Sequence, residues 1–160
     1  YQFKEIKHDQ WDGWRHYILR GEADDGNAWY AEKGVAGAAG LFSTAEDIQK
    51  LVDMLIHQGK VGSTQFILAQ TIQSFLIEDK FRNGLGWMMD PLNPVIKGAP
   101  EGSFGHTGFT GTSIAVVPSQ QLSVILLINR EQMGLIDGKA YYNVSSIREE
   151  IFKAAMKYSQ

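Results

Sequence analysis

The alternation of apolar and polar positions is easiest to read toward the end of the chain. Residues 102–111, Gly-Ser-Phe-Gly-His-Thr-Gly-Phe-Thr-Gly, are dense in glycine and lead into two apolar runs, 112–117 and 122–129. Pro118-Ser119-Gln120-Gln121 joins those runs. Short β-branched runs separated by polar turn residues predict three antiparallel strands in a meander. The last run, Leu122-Ser123-Val124-Ile125-Leu126-Leu127-Ile128, is almost continuously apolar, which predicts a central strand covered on both faces.

Helical periodicity appears on either side of this block. Ile48, Leu51, Val52, Leu55 and Ile56 fall on one face, Ser43 and Glu46 read as a capping box, and Gly59 is placed to close the helix. A shorter helix is predicted over 67–77 from Leu68, Ile72, Phe75 and Leu76, followed by a glycine-bounded extended segment over 83–89. Residues 90–102 hold three of the four prolines and predict a loop, as do residues 131–139. Ser146 and Glu149 read as a second capping box for a terminal helix with Ile147, Ile151, Ala155 and Tyr158 on one side. Residues 1–30 carry Trp11, Trp14 and Trp29 among interrupting glycines, so irregular structure is expected there, with at most a short strand near 16–19. Such an aromatic cluster either offers a carbohydrate platform or clamps a loop onto a domain. Helices, then a meander, then a closing helix indicate an α/β architecture of the α+β type.

Composition narrows the function classes. With 160 residues, 44% apolar and 21% charged, the chain has the size and make-up of one folded domain. A net charge of −3 with scattered basic residues gives no footprint for nucleic acid. No apolar run reaches the roughly 18 to 20 residues of a membrane-spanning helix. The absence of cysteine removes disulfides, zinc thiolates and thiol catalysis. The start of the chain, without Met and in a run of aromatics, gives the expectation of a piece of something longer.

Candidate chemistry is sparse outside the glycine-rich block. His8, His16, His57 and His106 lack metal-ligand spacing, and residues 34–40 miss the Gly-x-Gly-x-x-Gly pattern of nucleotide loops, so no metal and no cofactor are expected. Close backbone packing is the simpler account of those glycines. His57 sits at a helix end that favours a cation, a structural role. Glu22, Asp24 and Asp25 are either a general acid/base pair or a solvated face. His106-Thr107-Gly108 differs in kind, because a basic side chain, a hydroxyl and a glycine in succession let donors face a substrate lying along a strand edge.

The order and spacing of three segments carry a resemblance. These are Gly34-Val35-Ala36-Gly37-x-Ala39-Gly40-Leu41-Phe42-Ser43-Thr44-Ala45-x-Asp47, then Gly84-Leu85-Gly86-Trp87, then Phe104-Gly105-His106-Thr107-Gly108-Phe109-Thr110-Gly111-Thr112. Together they resemble the serine β-lactamase and penicillin-binding-protein superfamily, best its class C-like branch with esterases and D-amino-acid peptidases. The resemblance implies a partial β-lactamase/transpeptidase-like fold in which residues 1–160 are the C-terminal part of a single domain. The three-stranded meander with flanking helices would then lack the N-terminal strands and the N-terminal helix that complete the family's five-stranded sheet. It also implies that His106-Thr107-Gly108 borders the active site. Thr107 would meet the substrate carboxylate or carbonyl region, His106 would add polarity or charge, and the Phe109 N–H would be an oxyanion donor.

Two departures matter. No Ser-x-x-Lys, the family's nucleophile motif, occurs in the chain, and Tyr141-Tyr142-Asn143 follows His-Thr-Gly where the family's Tyr-x-Asn precedes it. Asp24 and Ala38 also stand where close relatives tend to carry histidines. The resemblance therefore implies the C-terminal portion of a penicillin-recognising serine hydrolase, inactive alone, acting in its complete form on small-molecule or peptidoglycan-like substrates in the cell envelope, periplasm or extracellular space. The alternative is a non-catalytic binding or structural module that keeps the fold. With only three strands, the apolar run 122–129 becomes an edge, which predicts self-association or pairing with the missing N-terminal half.

Overall fold

The computed structural model describes residue 15, residues 17–33 and residues 35–159. Its contacts divide the chain into two compact units, Tyr1–Phe42 and Ser43–Gln160. Trp11, Trp14, His8 and His16 lie outside the described residues, and residues 17–19 form no strand.

Among the described residues of the first unit, one short helix, α1 (Gly26–Ala31), interrupts otherwise irregular chain. The Asp25 carboxylate caps it by accepting the Ala28 N–H at 2.8 Å. Arg15 donates to the carbonyls of Ala23 (2.6 Å) and Asp24 (2.8 Å), and its guanidinium lies 4.8 Å from the Trp29 ring centroid. The Tyr17 hydroxyl donates to Glu22 at 2.8 Å. Glu22 and Asp25 are thus taken up by local structure and form no acid/base pair with the exposed Asp24. Of the small-residue stretch, Gly40 has a φ of 91° and a Cβ there would press on Ala23, whereas Gly37 faces open space. Close packing explains the one glycine and leaves the other without a reason.

The second unit is a sheet with a helix on each face. Helix α2 (Ala45–Ile56) begins at Thr44, whose hydroxyl accepts the Asp47 N–H at 3.2 Å, one residue later than the Ser43–Glu46 box predicts. Its end is a Schellman arrangement: the Gly59 N–H donates to Met54 O (2.7 Å) and the Gln58 N–H to Leu55 O (3.1 Å). A hairpin of β1 (Lys60–Val61) and β2 (Thr64–Gln65) follows, unforeseen because two-residue strands leave no periodicity. Helix α3 (Ala69–Phe75) buries Ile72.

Strands β3 (Asn83–Gly84), β4 (Trp87–Met88), β5 (Phe104–Thr107), β6 (Ser113–Val117) and β7 (Leu122–Leu126) form one antiparallel sheet in chain order. The meander is present as predicted, and the hairpin of β3 and β4 extends it. Alternation sorts the residues. Phe104 and Val116 face Val52 of α2, while Ala115 and Val117 face Val95, Ile96 and Phe152. Phe152 belongs to helix α4 (Ser145–Tyr158) on the opposite face. Strand β7 is covered on both faces, since Leu122 and Val124 pack on the α4 side and the Ser123 hydroxyl donates to Gln49 of α2 at 2.8 Å. It is nevertheless not central: among the described residues it pairs only with β6 and forms the sheet edge.

Two expectations for the chain end need correction. The expected loop 131–139 contains a short 3-10 turn and most of a second small hairpin, β8 (Leu135–Ile136) with β9 (Ala140–Tyr141). Helix α4 starts two residues early, its first amide bound by Asn143 Oδ1 at 2.9 Å, so Ser146 is helical and cannot cap. Its inner face is Phe152 with Met156, whereas Ile147 and Ile151 are each 38% exposed and Tyr158 is 86% exposed.

Two variants probe this packing. Gly59 has a φ of 84°, and a Cβ there would strike the Ile67 carbonyl oxygen. Gly59→Ala should therefore destabilise the chain by about 2 kcal/mol or more, read as a lower thermal midpoint with unchanged circular dichroism. Glu149 on α4 accepts Lys153 (2.7 Å) and Lys97 (2.9 Å), and these ammonium groups, Lys153 first, hold its carboxyl below the usual carboxylate range. A depressed folded value stabilises above the unfolded value and ceases to do so as pH falls through the folded one. Glu149→Gln should lower the midpoint at neutral pH and converge with the unsubstituted chain in strong acid; a gap that persists there would contradict the assignment.

Candidate active site

Strand β5 sets the site. Phe104 is buried at 1% exposure, edge-on to Trp87 with ring centroids 4.9 Å apart, and anchors the start of the strand. Gly105 is required by close approach, because a Cβ would lie 2.5 Å from the Ile114 carbonyl oxygen and against Val95 and Ile96. The pairing of β5 with β4 stops at Met88 opposite Gly105, while the pairing with β6 continues to Thr107 opposite Ser113. Beyond Gly105, among the described residues, the ladder pairing of β5 continues on the β6 side alone and its other edge is open.

His106 and Thr107 occupy that open stretch. His106 is exposed and lines a shallow cavity of about 330 Å³ with Asn83, Gly84, Gly86, Trp87 and Met88. Its Nδ1 lies 2.9 Å from the Thr107 carbonyl oxygen, which can only accept, so the proton sits on Nδ1 and Nε2 is left without a partner among the described residues. Thr107 is half-buried, and its hydroxyl makes no hydrogen bond among the described residues. A second cavity of about 380 Å³ adjoins this one through Gly86 and Trp87, lined by apolar side chains such as Leu55, Ile72, Phe75 and Phe104. It lacks the polar groups that gather on the His106 side.

The turn after the triplet is closed on itself. The Gly108 N–H donates to Thr112 O (2.8 Å) and the Gly111 N–H to Gly108 O (3.1 Å). The Phe109 N–H donates to nothing among the described residues. Around the turn stand groups that sequence reading missed. Arg148 of α4 directs Nη2 at Gly111 O (2.9 Å), Thr112 O (3.1 Å) and Gly108 O (3.4 Å). The Arg130 N–H donates to Thr110 O at 2.8 Å, and the Arg130 guanidinium lies 4.8 Å from the Phe109 ring centroid and 5.9 Å from that of Tyr141. The Phe109 and Tyr141 rings meet edge to face at 5.8 Å. Burial, and then the neighbouring Arg130 charge, push the Arg148 pKa below its ordinary value, yet a guanidinium remains protonated at neutral pH.

His57 ends α2, where its Nδ1 lies 2.7 Å from Asp53 O, far in sequence from this turn and in the structural role expected of it. No group of three or more His, Asp or Glu residues that could hold a metal ion occurs among the described residues. None of α1 to α4 is long and apolar enough to cross a membrane.

The sequence model of the beta-lactamase family matches residues 6–148. The chain belongs to the beta-lactamase family. This beta-lactamase-family chain is 31% identical over 137 residues to the "Putative D-alanyl-D-alanine carboxypeptidase" of Salmonella agona (strain SL483), covering 81% of the chain and 32% of that protein. It is 32% identical over 142 residues to the "N-acetylmuramyl-L-alanine amidase" of Bacillus subtilis (strain 168), covering 81% of the chain and 31% of that protein. The chain thus spans about a third of the length of the curated relatives it matches. Among solved structures, it is similar to a family VIII carboxylesterase at 21% identity and a TM-score of 0.48, covering 69% of the chain and 30% of the esterase. Mixed helices around an antiparallel sheet agree with a partial β-lactamase-like α/β fold.

Proposed function

We propose that this chain is the C-terminal portion of a penicillin-recognising serine hydrolase, supplying one wall of an active site that its own residues do not complete. The observation that carries the reading is the unpartnered Phe109 N–H two residues beyond the Thr107 hydroxyl, on a strand whose edge is open from His106 onward. In acyl transfer a serine oxygen adds to an amide or ester carbonyl, its proton passes through a base to the leaving group, and negative charge builds on the former carbonyl oxygen. The Phe109 N–H would receive that charge, an interaction whose loss in such sites lowers turnover roughly 10²- to 10³-fold. Thr107 would hydrogen-bond the substrate carboxylate or carbonyl region. His106 would border the substrate along the open edge, and Gly108 would let the substrate backbone approach closely.

The nucleophile would come from a Ser-x-x-Lys segment outside these 160 residues, since none occurs within them. The names of the two curated relatives, a carboxypeptidase and an amidase, support an amide substrate of the D-amino-acid peptide or peptidoglycan type and a place in the cell envelope, periplasm or extracellular space. The open outer edge of β7 and the exposed Ile147 and Ile151 of α4 support pairing there with the rest of such a polypeptide or with a second copy.

Two measurements test this. Incubated with a penicillin or an activated ester, the 160-residue chain should keep its intact mass, and the same chain joined to an upstream Ser-x-x-Lys segment should gain one acyl group. An adduct on the short chain would place a nucleophile within it and overturn the split-site reading, and no adduct on either would favour the non-catalytic module. In sedimentation, the short chain should associate at micromolar concentration; a dispersed, stable monomer would count against an uncovered β7 edge.

A further inference from the structure

We infer that Arg148 is a positioning residue for the acyl-transfer chemistry proposed above: it fixes the orientation of the Gly108–Phe109 peptide, and through it the direction of the Phe109 N–H. The inference rests on the hydrolase reading and adds to it a residue from a distant helix.

The Gly108 carbonyl and the Phe109 N–H belong to one planar unit, and in a trans peptide they point in opposite directions. Among the described residues every peptide bond is trans. Whatever holds the Gly108 oxygen therefore aims the Phe109 hydrogen the other way. That oxygen accepts the Gly111 N–H at 3.1 Å and faces Arg148 Nη2 at 3.4 Å, so the hydrogen points away from the α4 guanidinium.

Three carbonyl oxygens, those of Gly108, Gly111 and Thr112, converge on the single nitrogen Nη2. Oxygens drawn together in this way repel one another unless a cation sits among them, so the turn depends on the guanidinium for its shape. Arg130 adds a second hold on the same turn through Thr110 O and the Phe109 ring. A positive charge at the oxygen end of the Gly108–Phe109 peptide also polarises it, which makes the N–H at the other end a stronger donor. Arg148 would thus act on the reacting atoms without touching them.

Arg148→Met keeps the length and helix preference of the side chain and removes the donors, whereas Arg148→Lys returns an ammonium that can sit among the same oxygens. In amide spectra of the 160-residue chain, the Met variant should move the signals of residues 108–112 and leave those of β6 and β7 in place, with Lys close to the unsubstituted chain. In the chain joined to its upstream segment, Met should lower kcat roughly 10- to 100-fold with KM within about twofold, and Lys should recover most of the loss. An unmoved Phe109 amide, or a kcat that falls only in step with the folded fraction and is not recovered by Lys, would overturn the inference. No turnover in the unsubstituted extended protein would instead sink the hydrolase reading, and the amide spectra would still decide whether Arg148 sets the turn.

Discussion

Strand β6 is the element on which the rest of the second unit depends. Ser113, Ala115, Val116 and Val117 are all buried, Val116 toward α2 and Ala115 and Val117 toward α4. A strand buried on both faces between two helices cannot slip by one residue without moving Val116 into the α4 layer and its neighbours into the α2 layer. Its register is therefore fixed by burial, and the register of β5 follows, with Phe104 opposite Val116 and Thr107 opposite Ser113. The candidate site inherits its position from this pairing.

The same pairing explains why unpaired polar groups surface where they do. Phe104, at the deep end of β5, has partners on the α2 side and Val116 of β6 opposite it. Three residues later the β4 neighbour has ended, the chain turns at 108–112, and polar groups that would be paired further in are left open. The open edge is a consequence of a short β4 beside a longer β5. Leaving a hydroxyl and an amide unpaired at a solvent edge costs little, because water can serve both.

Much of this was legible in the residues, and what was not had a common cause. The meander and α2 could be read because each is specified locally, by β-branched runs between turn residues and by an apolar stripe ended at Gly59. The His106-Thr107-Gly108 stretch could be read because glycine, hydroxyl and imidazole stand in one sequence window. Helix α4 was misread in its inner face. Ile147 and Ile151 are as apolar as Phe152, and only the position of the sheet decides which stripe is buried. Strand β7 shows the same limit: continuous apolarity correctly indicated cover on both faces, but nothing along 122–126 says whether another strand lies alongside. Arg130 and Arg148 were invisible as clamps, since their partners are main-chain carbonyls that any sequence provides, 36 to 40 residues away for Arg148.

The turn after β5 and the outer edge of the sheet differ in how they are held. The turn at 108–112 is fixed from within the second unit, by Arg148 of α4, by the backbone of Arg130 and by the Phe109–Tyr141 contact. None of these needs a further strand. The outer edge of β7 has no such support among the described residues, and Leu127, which follows the strand, is exposed, as are Ile147 and Ile151 of α4. An addition to that edge would extend the sheet from β7 outward and leave β5, two strands away, in the register β6 already imposes. The positions of Thr107 and the Phe109 N–H are accordingly properties of these residues themselves, whatever lies along the β7 edge.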